Sequence, residues 1–240
     1  MPLRSSPPLL PVLLTSLLCV LPCHGGWNEA QLERDEALRL TPDIVNGAAV
    51  YEGCAVCHMP EGWGTPNGAY PQIAGQHRSV TIKQLADIRA KNRDNPSMYP
   101  YAIPEEIGGT QAISDVAAYI ENLKMTSATG KGPGTALEQG ESLYRELCTE
   151  CHGERGQGYP DKAYPLIQGQ HYNYILRQLQ WIREGKRRNA NREMMKTIRD
   201  LELSDYEALA DHISRLPPDP AKLSPYTWKD RGQATKPNLR

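Results

Sequence analysis

The 240-residue chain contains no phenylalanine, so twelve tyrosines and four tryptophans carry its aromatic content. It also lacks an excess of either charge. The 27 basic residues face 28 acidic ones, which excludes the strongly basic footprint of a nucleic-acid-binding protein. No apolar run is long enough to cross a bilayer. The Leu-rich stretch from Leu9 to Leu21 is short, broken by Pro11 and followed by Pro22, whereas a spanning helix needs roughly 20 apolar residues. Cysteine is scarce: Cys19 and Cys23 lie near the N-terminus, and the other four fall into two copies of one pattern. No segment reads as a sheet.

Arg4, the short apolar run and the small residues Gly25 and Gly26 have the layout of a secretory signal peptide over residues 1–25. Export would remove Cys19 and Cys23, leaving no free thiol, and would place the mature chain in the periplasm. Leu18 and Pro22, which precede those cysteines, are poor lipoprotein cleavage-site residues. The reading is a soluble exported protein, compatible with peripheral membrane association.

The four remaining cysteines form Cys54-Ala-Val-Cys57-His58 and Cys148-Thr-Glu-Cys151-His152, 94 positions apart. Cys-x-x-Cys-His is the attachment pattern of a c-type haem. Two thiols at this spacing reach the two porphyrin vinyl groups, and the adjacent histidine falls beneath the iron as proximal ligand. A lone copy could equally be a redox dithiol or half a zinc site. Two copies inside a longer repeat are hard to assign to chance. At the same shift Tyr70-Pro71 pairs with Tyr164-Pro165, Gly75-Gln76-His77 with Gly169-Gln170-His171, and Gln84-Leu85 with Gln178-Leu179.

The spacing therefore predicts an all-α chain of two tandem domains, 42–124 and 136–216, joined by a Gly/Ser/Thr-rich linker over 125–135. An N-terminal extension (26–41) precedes them and a Pro-rich basic tail (217–240) follows. In each domain a short helix (Pro42–Glu52 or Ala136–Leu147) leads into the motif, and an amphipathic helix carries Ile82, Leu85 and Ile88 or Ile175, Leu179 and Ile182. A closing helix follows, with a capping box expected at Ser204 and Glu207 in the second copy. Asn28–Leu40 reads as a charged surface helix, and the tail is undecided between wrapping the body and staying loose. Each domain is too small to bury much apolar area alone, so the haem must fill its core.

An electron carrier closes both axial positions of its iron, whereas a catalytic haem leaves one open. The distal candidates that recur are Met98 and Met194, in Asn95-Pro-Ser-Met98 and Asn191-Arg-Glu-Met194. Met195 is the rival for the second site by spacing, and His77 and His171 form a competing pair. Methionines that simply fill the core are the plain alternative. The Pro71 and Pro165 loops are placed to offer a backbone carbonyl to the proximal imidazoles. His212, without a partner in the first copy, reads as a surface or interface residue. Lys186, Arg187 and Arg188 form a basic cluster that could steer an acidic partner, balance haem propionates or simply end a solvated helix.

Two such motifs, each followed by Pro-x-x-x-Gly-Gln (Pro71 to Gln76, Pro165 to Gln170) and then Asn-x-x-Met, resemble cytochrome c4-type dihaem cytochromes. The resemblance covers residues 42–216 and implies two class I cytochrome c domains facing each other across a pseudo-twofold interface. It implies two covalently held haem c groups, on Cys54 and Cys57 and on Cys148 and Cys151. The implied axial pairs are His58/Met98 and His152/Met194. The residues from Pro104 to Gly109 depart from the simpler family spacing. The function implied is a periplasmic relay of single electrons between respiratory donor and acceptor proteins: a cytochrome complex, oxidase, reductase or dehydrogenase. The alternative is the cytochrome subunit of an oxidoreductase complex, such as a flavocytochrome sulfide dehydrogenase. A dihaem enzyme is disfavoured, since no mature cysteine remains as a distal ligand and both methionines are present.

Overall fold

The computed structural model describes residues 25–230, so the signal-peptide reading and Cys19 and Cys23 lie outside the described residues. Helix α1 (Gly25–Arg39) precedes the first domain, which consists of α2 (Ile44–His58), α3 (Arg78–Arg89), two short turns α4 (Tyr99–Ala102) and α5 (Pro104–Ile107), and α6 (Thr110–Asn122). The second domain repeats the plan with α7 (Leu137–Leu147), α8 (Thr149–His152), α9 (Tyr172–Arg183), α10 (Arg192–Ile198) and α11 (Leu203–Arg215). No strand forms among the described residues; two isolated bridges, Met125 with Leu223 and Tyr159 with Tyr164, are the nearest approach.

Each domain is built on one helix crossing, α2 over α6 and α7 over α11. A glycine stands at each crossing because the opposing backbone leaves no room for a Cβ. At Gly47 it would lie 2.3 Å from the Asp115 carbonyl oxygen, and at Gly140 2.2 Å from that of Ala208. The crossings are tightened by ring pairs, Tyr51 with Tyr119 and Tyr144 with His212, both with centroids 5.2 Å apart. His212 is thus not a surface residue without a counterpart. It replaces Tyr119, and the match is hidden because these helices correspond at a shift of 93, not 94. The same one-residue difference separates Tyr51 from Cys54 and Tyr144 from Cys148. In the first copy α2 runs unbroken through the motif, past the expected end at Glu52; in the second, the extra residue breaks the helix at Cys148.

The apolar faces of α3 and α9 are buried as their periodicity requires, with Ile82, Leu85, Ile88, Ile175, Leu179 and Ile182 all in the two cores. Other expectations need correction. The capping box of α11 is formed by Glu202 and Asp205, two residues before the Ser204–Glu207 pair. Helix α1 is more than a surface helix: Ala30 and Ala37 are buried, Arg89 pairs with Glu33, and Arg78 binds the Ala37 carbonyl at 2.7 Å. The departure between Pro104 and Gly109 is the turn α5.

The Gly/Ser/Thr-rich linker is packed: Met125, Thr126 and Thr129 are buried. Gln72 from the first domain holds Thr126 through both its backbone groups. Gly130 passes so close to Pro66 that a Cβ would overlap its carbonyl oxygen. The tail settles on the same belt. Met125 and Leu223 pair as a parallel bridge, and Trp228 packs edge-on against the buried Trp63 at 5.5 Å while donating to the Ala128 carbonyl at 2.9 Å. The wrapped alternative is the one adopted over 217–230.

Candidate functional site

His58 closes α2 and His152 closes α8, and both rings are buried. In each, Nδ1 lies 3.0 Å from a proline carbonyl, Pro71 for His58 and Pro165 for His152. A carbonyl only accepts, so Nδ1 must carry the proton and Nε2 is left with its lone pair free for a metal. Burial is the main force holding both imidazoles below their ordinary pKa, with Arg93 and Arg187 adding to it from nearby, so the neutral form is kept. The prolyl loops thus do what the sequence pattern suggests. The loops close tightly: Gly64 donates to the His58 carbonyl at 3.0 Å and Gly158 to that of His152 at 2.8 Å.

The four motif cysteines form no disulfide, and burial pushes the Cys54 thiol up to about 11 and that of Cys148 up to about 12. Such thiols are poor thiolate ligands. No cluster of three or more His, Cys, Asp or Glu side chains with metal-holding geometry occurs among the described residues, so the donor set does not suit a zinc site. It does suit covalent capture of a porphyrin edge beside a neutral imidazole.

The distal candidates part company. Met98 and Met194 are partly buried and pack against the first and second cores respectively, whereas Met195 is 37% exposed. His77 and His171 are occupied elsewhere. His77 Nε2 reaches the Gln157 carbonyl at 2.7 Å, and His171 Nε2 reaches that of Trp63 at 2.8 Å while its Nδ1 accepts from Gly130 N–H. Each histidine therefore crosses to the other domain's motif loop, and positions 63 and 157 correspond in the repeat. These bonds engage both rings at the seam between the domains.

Arg93 and Arg187, another repeat pair, meet at the seam. Arg93 binds Gln84 at 2.8 Å and Gln178 at 3.3 Å; Arg187 binds Gln178 at 2.9 Å and Gln84 at 3.3 Å. Burial and the facing Arg93 push Arg187 down to about 10, and its Nε is buried without a partner. Two enclosed guanidinium groups bonded to amides, with an orphaned donor, call for anionic groups of the kind that haem propionates supply. The rest of the basic cluster does not share this role: Lys186 is exposed and pairs with Glu184 at 2.7 Å, and Arg188 binds the Lys91 carbonyl. Arg93 is not singled out by the motif reading, and Gln76 and Gln170 enter it only as repeat positions. Their recurrence at the 94-residue shift was the signal available.

Residues 44–124 match the family model described as "Cytochrome c". Residues 135–213 match "Cytochrome C oxidase, cbb3-type, subunit III". The cytochrome c4 of Azotobacter vinelandii is 33% identical over 191 residues, covering 72% of this chain and 89% of the relative. The thiosulfate dehydrogenase electron acceptor of Stutzerimonas stutzeri is 29% identical over 178 residues, covering 68% of this chain and 78% of that protein. Among solved structures, reduced recombinant cytochrome c4 from Pseudomonas stutzeri superposes with a TM-score of 0.66 at 28% identity, covering 73% of this chain and all of the other. With paired helix crossings, paired prolyl carbonyls and a shared arginine seam already in place, this chain belongs to the cytochrome c4 family of dihaem electron-transfer proteins.

Proposed function

We propose that this protein carries single electrons between periplasmic redox proteins through two haem irons that its own side chains would close to other ligands. Cys54 and Cys57 would hold one haem c and Cys148 and Cys151 the other. His58 with Met98, and His152 with Met194, would ligate the two irons. When bound, the haem iron supplies a reversible one-electron change. The chain's own residues do the rest. Pro71 and Pro165 orient the imidazoles, Arg93 and Arg187 balance anionic charge at the seam, and the buried cores keep water from the irons. The observation that carries this reading is the duplication itself: two neutral, carbonyl-oriented imidazoles in two domains that share one seam. Such an arrangement suits entry at one site and exit at the other.

Optical and EPR spectra of the oxidised holoprotein test it. Two low-spin centres with the weak far-red band of a methionine–iron bond are expected. Met194→Ala should abolish that band's second component, and Met195→Ala should leave it intact; the reverse result moves the ligand to Met195. Rapid binding of cyanide or peroxide to the untreated protein would instead mark a catalyst. Export follows from the signal-peptide pattern over residues 1–25 and is checked by the N-terminal sequence of the mature chain.

A second reading is favoured by one observation, the likeness to a thiosulfate dehydrogenase electron acceptor. Here the chain is the electron-accepting partner of a sulfur-compound dehydrogenase. Copurification with such an enzyme, and reduction by it without a mediator, would select this reading.

A further inference from the structure

The Gly-Gln-His segments do more than join the domains. Gln170, in the second domain, reaches into the first. Its Oε1 accepts from Gln72 N–H at 3.0 Å and its Nε2 donates to the Gln72 carbonyl at 2.8 Å. Gln76 does the same in the opposite direction, accepting from Leu166 N–H at 3.0 Å and donating to the Leu166 carbonyl at 2.9 Å. Positions 72 and 166 correspond in the repeat, so these are two equivalent clasps related by the pseudo-twofold.

What each clasp holds is specific. The N–H of Gln72 and the carbonyl of Pro71 belong to one peptide unit, and that carbonyl is the acceptor for His58 Nδ1. Likewise the N–H of Leu166 and the carbonyl of Pro165 share the unit that orients His152. A peptide unit is planar, so fixing its N–H fixes the direction of its carbonyl. A hydrogen bond donated at the nitrogen also polarises the carbonyl into a better acceptor. Gln72 and Leu166 are both buried.

We propose that Gln170 and Gln76 are positioning residues acting in trans: each domain supplies the amide that sets the proximal imidazole of the other. Gln170 acts on His58 through the Pro71–Gln72 peptide, and Gln76 acts on His152 through the Pro165–Leu166 peptide. The inference rests on His58 and His152 being the iron ligands. Losing the amide weakens the Nδ1 hydrogen bond, lowers imidazole basicity and raises that centre's reduction potential.

The test uses the full holoprotein with Gln76→Met and, separately, Gln170→Met. The ring protons of His58 and His152 are assigned through their own backbones in the oxidised protein, and the two reduction potentials are titrated. Gln76→Met should move the His152 ring signals several-fold more than those of His58 and raise the potential of that centre. Gln170→Met should do the reverse. Should Gln76→Met fail to accumulate, Gln170→Met carries the same test with the centres exchanged. An equal or larger change at the centre in the mutated residue's own domain, or no change at either, overturns the proposal. If neither ring shows iron-induced shifts in the unmutated protein, it is the ligand assignment that falls.

Discussion

Gly47 and Gly53 lie six residues apart in α2, and replacing each by alanine should change stability in opposite directions. At Gly47 the new methyl would sit 2.3 Å from the Asp115 carbonyl oxygen and 3.0 Å from Tyr119 Cβ. Ordinary contact needs more than an ångström beyond the shorter of these, so α2 and α6 must separate. That would stretch the bonds that tie them, Asp43 N–H to Asp115 at 2.8 Å and Asn46 Nδ2 to Asp115 at 2.7 Å, and would loosen the Tyr51–Tyr119 ring pair. Overpacking of this kind costs about 1–3 kcal/mol, with broken hydrogen bonds adding to it, against a helix-propensity gain of about 1 kcal/mol. The net effect expected is a loss of about 1–3 kcal/mol. At Gly53 nothing lies within 4 Å of the added atom, and the second copy carries Leu147 at the corresponding place. Here only the propensity gain remains, about 0.5–1 kcal/mol of stabilisation. Guanidinium unfolding of the holoprotein, followed by helical circular dichroism, measures both. Unchanged slopes with midpoints displaced in opposite directions are expected. Midpoints that move the same way would refute the claim that the α2–α6 crossing, and not helix propensity, governs this helix.

Other outcomes follow from single features. Met59 holds φ 67° and ψ 157°, a region suited to glycine, and the second copy has Gly153 at φ 76° and ψ 163°. Met59→Gly should therefore raise unfolding stability by about 1 kcal/mol; a lower melting temperature would show that the side chain matters more than the strain. Burial holds His171 below its ordinary pKa, and its Nδ1 already accepts a hydrogen bond. The stability it contributes is complete above about 6.5 and is lost as pH falls from there toward the folded value. Unfolding free energies measured downward from neutral pH should fall less steeply in His171→Gln, and identical profiles would exclude His171 as the titrating group. Trp228→Ala removes the ring contact with Trp63, worth about 0.5–1.5 kcal/mol, and the bond to Ala128. Amide exchange at Ser224, which donates to the Met125 carbonyl, should accelerate; unaltered exchange would mean that the bridge holds the tail without the tryptophan.

The imidazole environment was readable in advance because its parts are local. The motif, its histidine and a Tyr-Pro loop thirteen residues on are short-range features, and their recurrence fixes their meaning. His212 was misread because α7 and α11 both stand at a shift of 93: one residue is added before Cys148, and the loop between α9 and α11 is one residue shorter than that between α3 and α6. The capping box moved for a similar reason, since Glu202 and Ser204 both have suitable partners three residues on, and only the approach of the chain decides between them. Composition marked the linker without showing that it is buried, and it left the path of the tail open. Gly130 and Gly132 are small because other backbone or side-chain atoms pass within van der Waals distance of them, and that is invisible along the chain.

By itself the sequence determined what is covalent and periodic: two Cys-x-x-Cys-His sites, two sets of amphipathic helices, and the fact that one unit is present twice. The tertiary structure alone decided how the two copies face each other. Gln76 touches Leu166 and Gln170 touches Gln72 across 90 and 98 residues of chain, and His77 and His171 turn from candidate ligands into bridges. Hydrogen bonds between repeats depend on relative orientation, and orientation is the outcome of packing two cores, an arginine seam and a tail together.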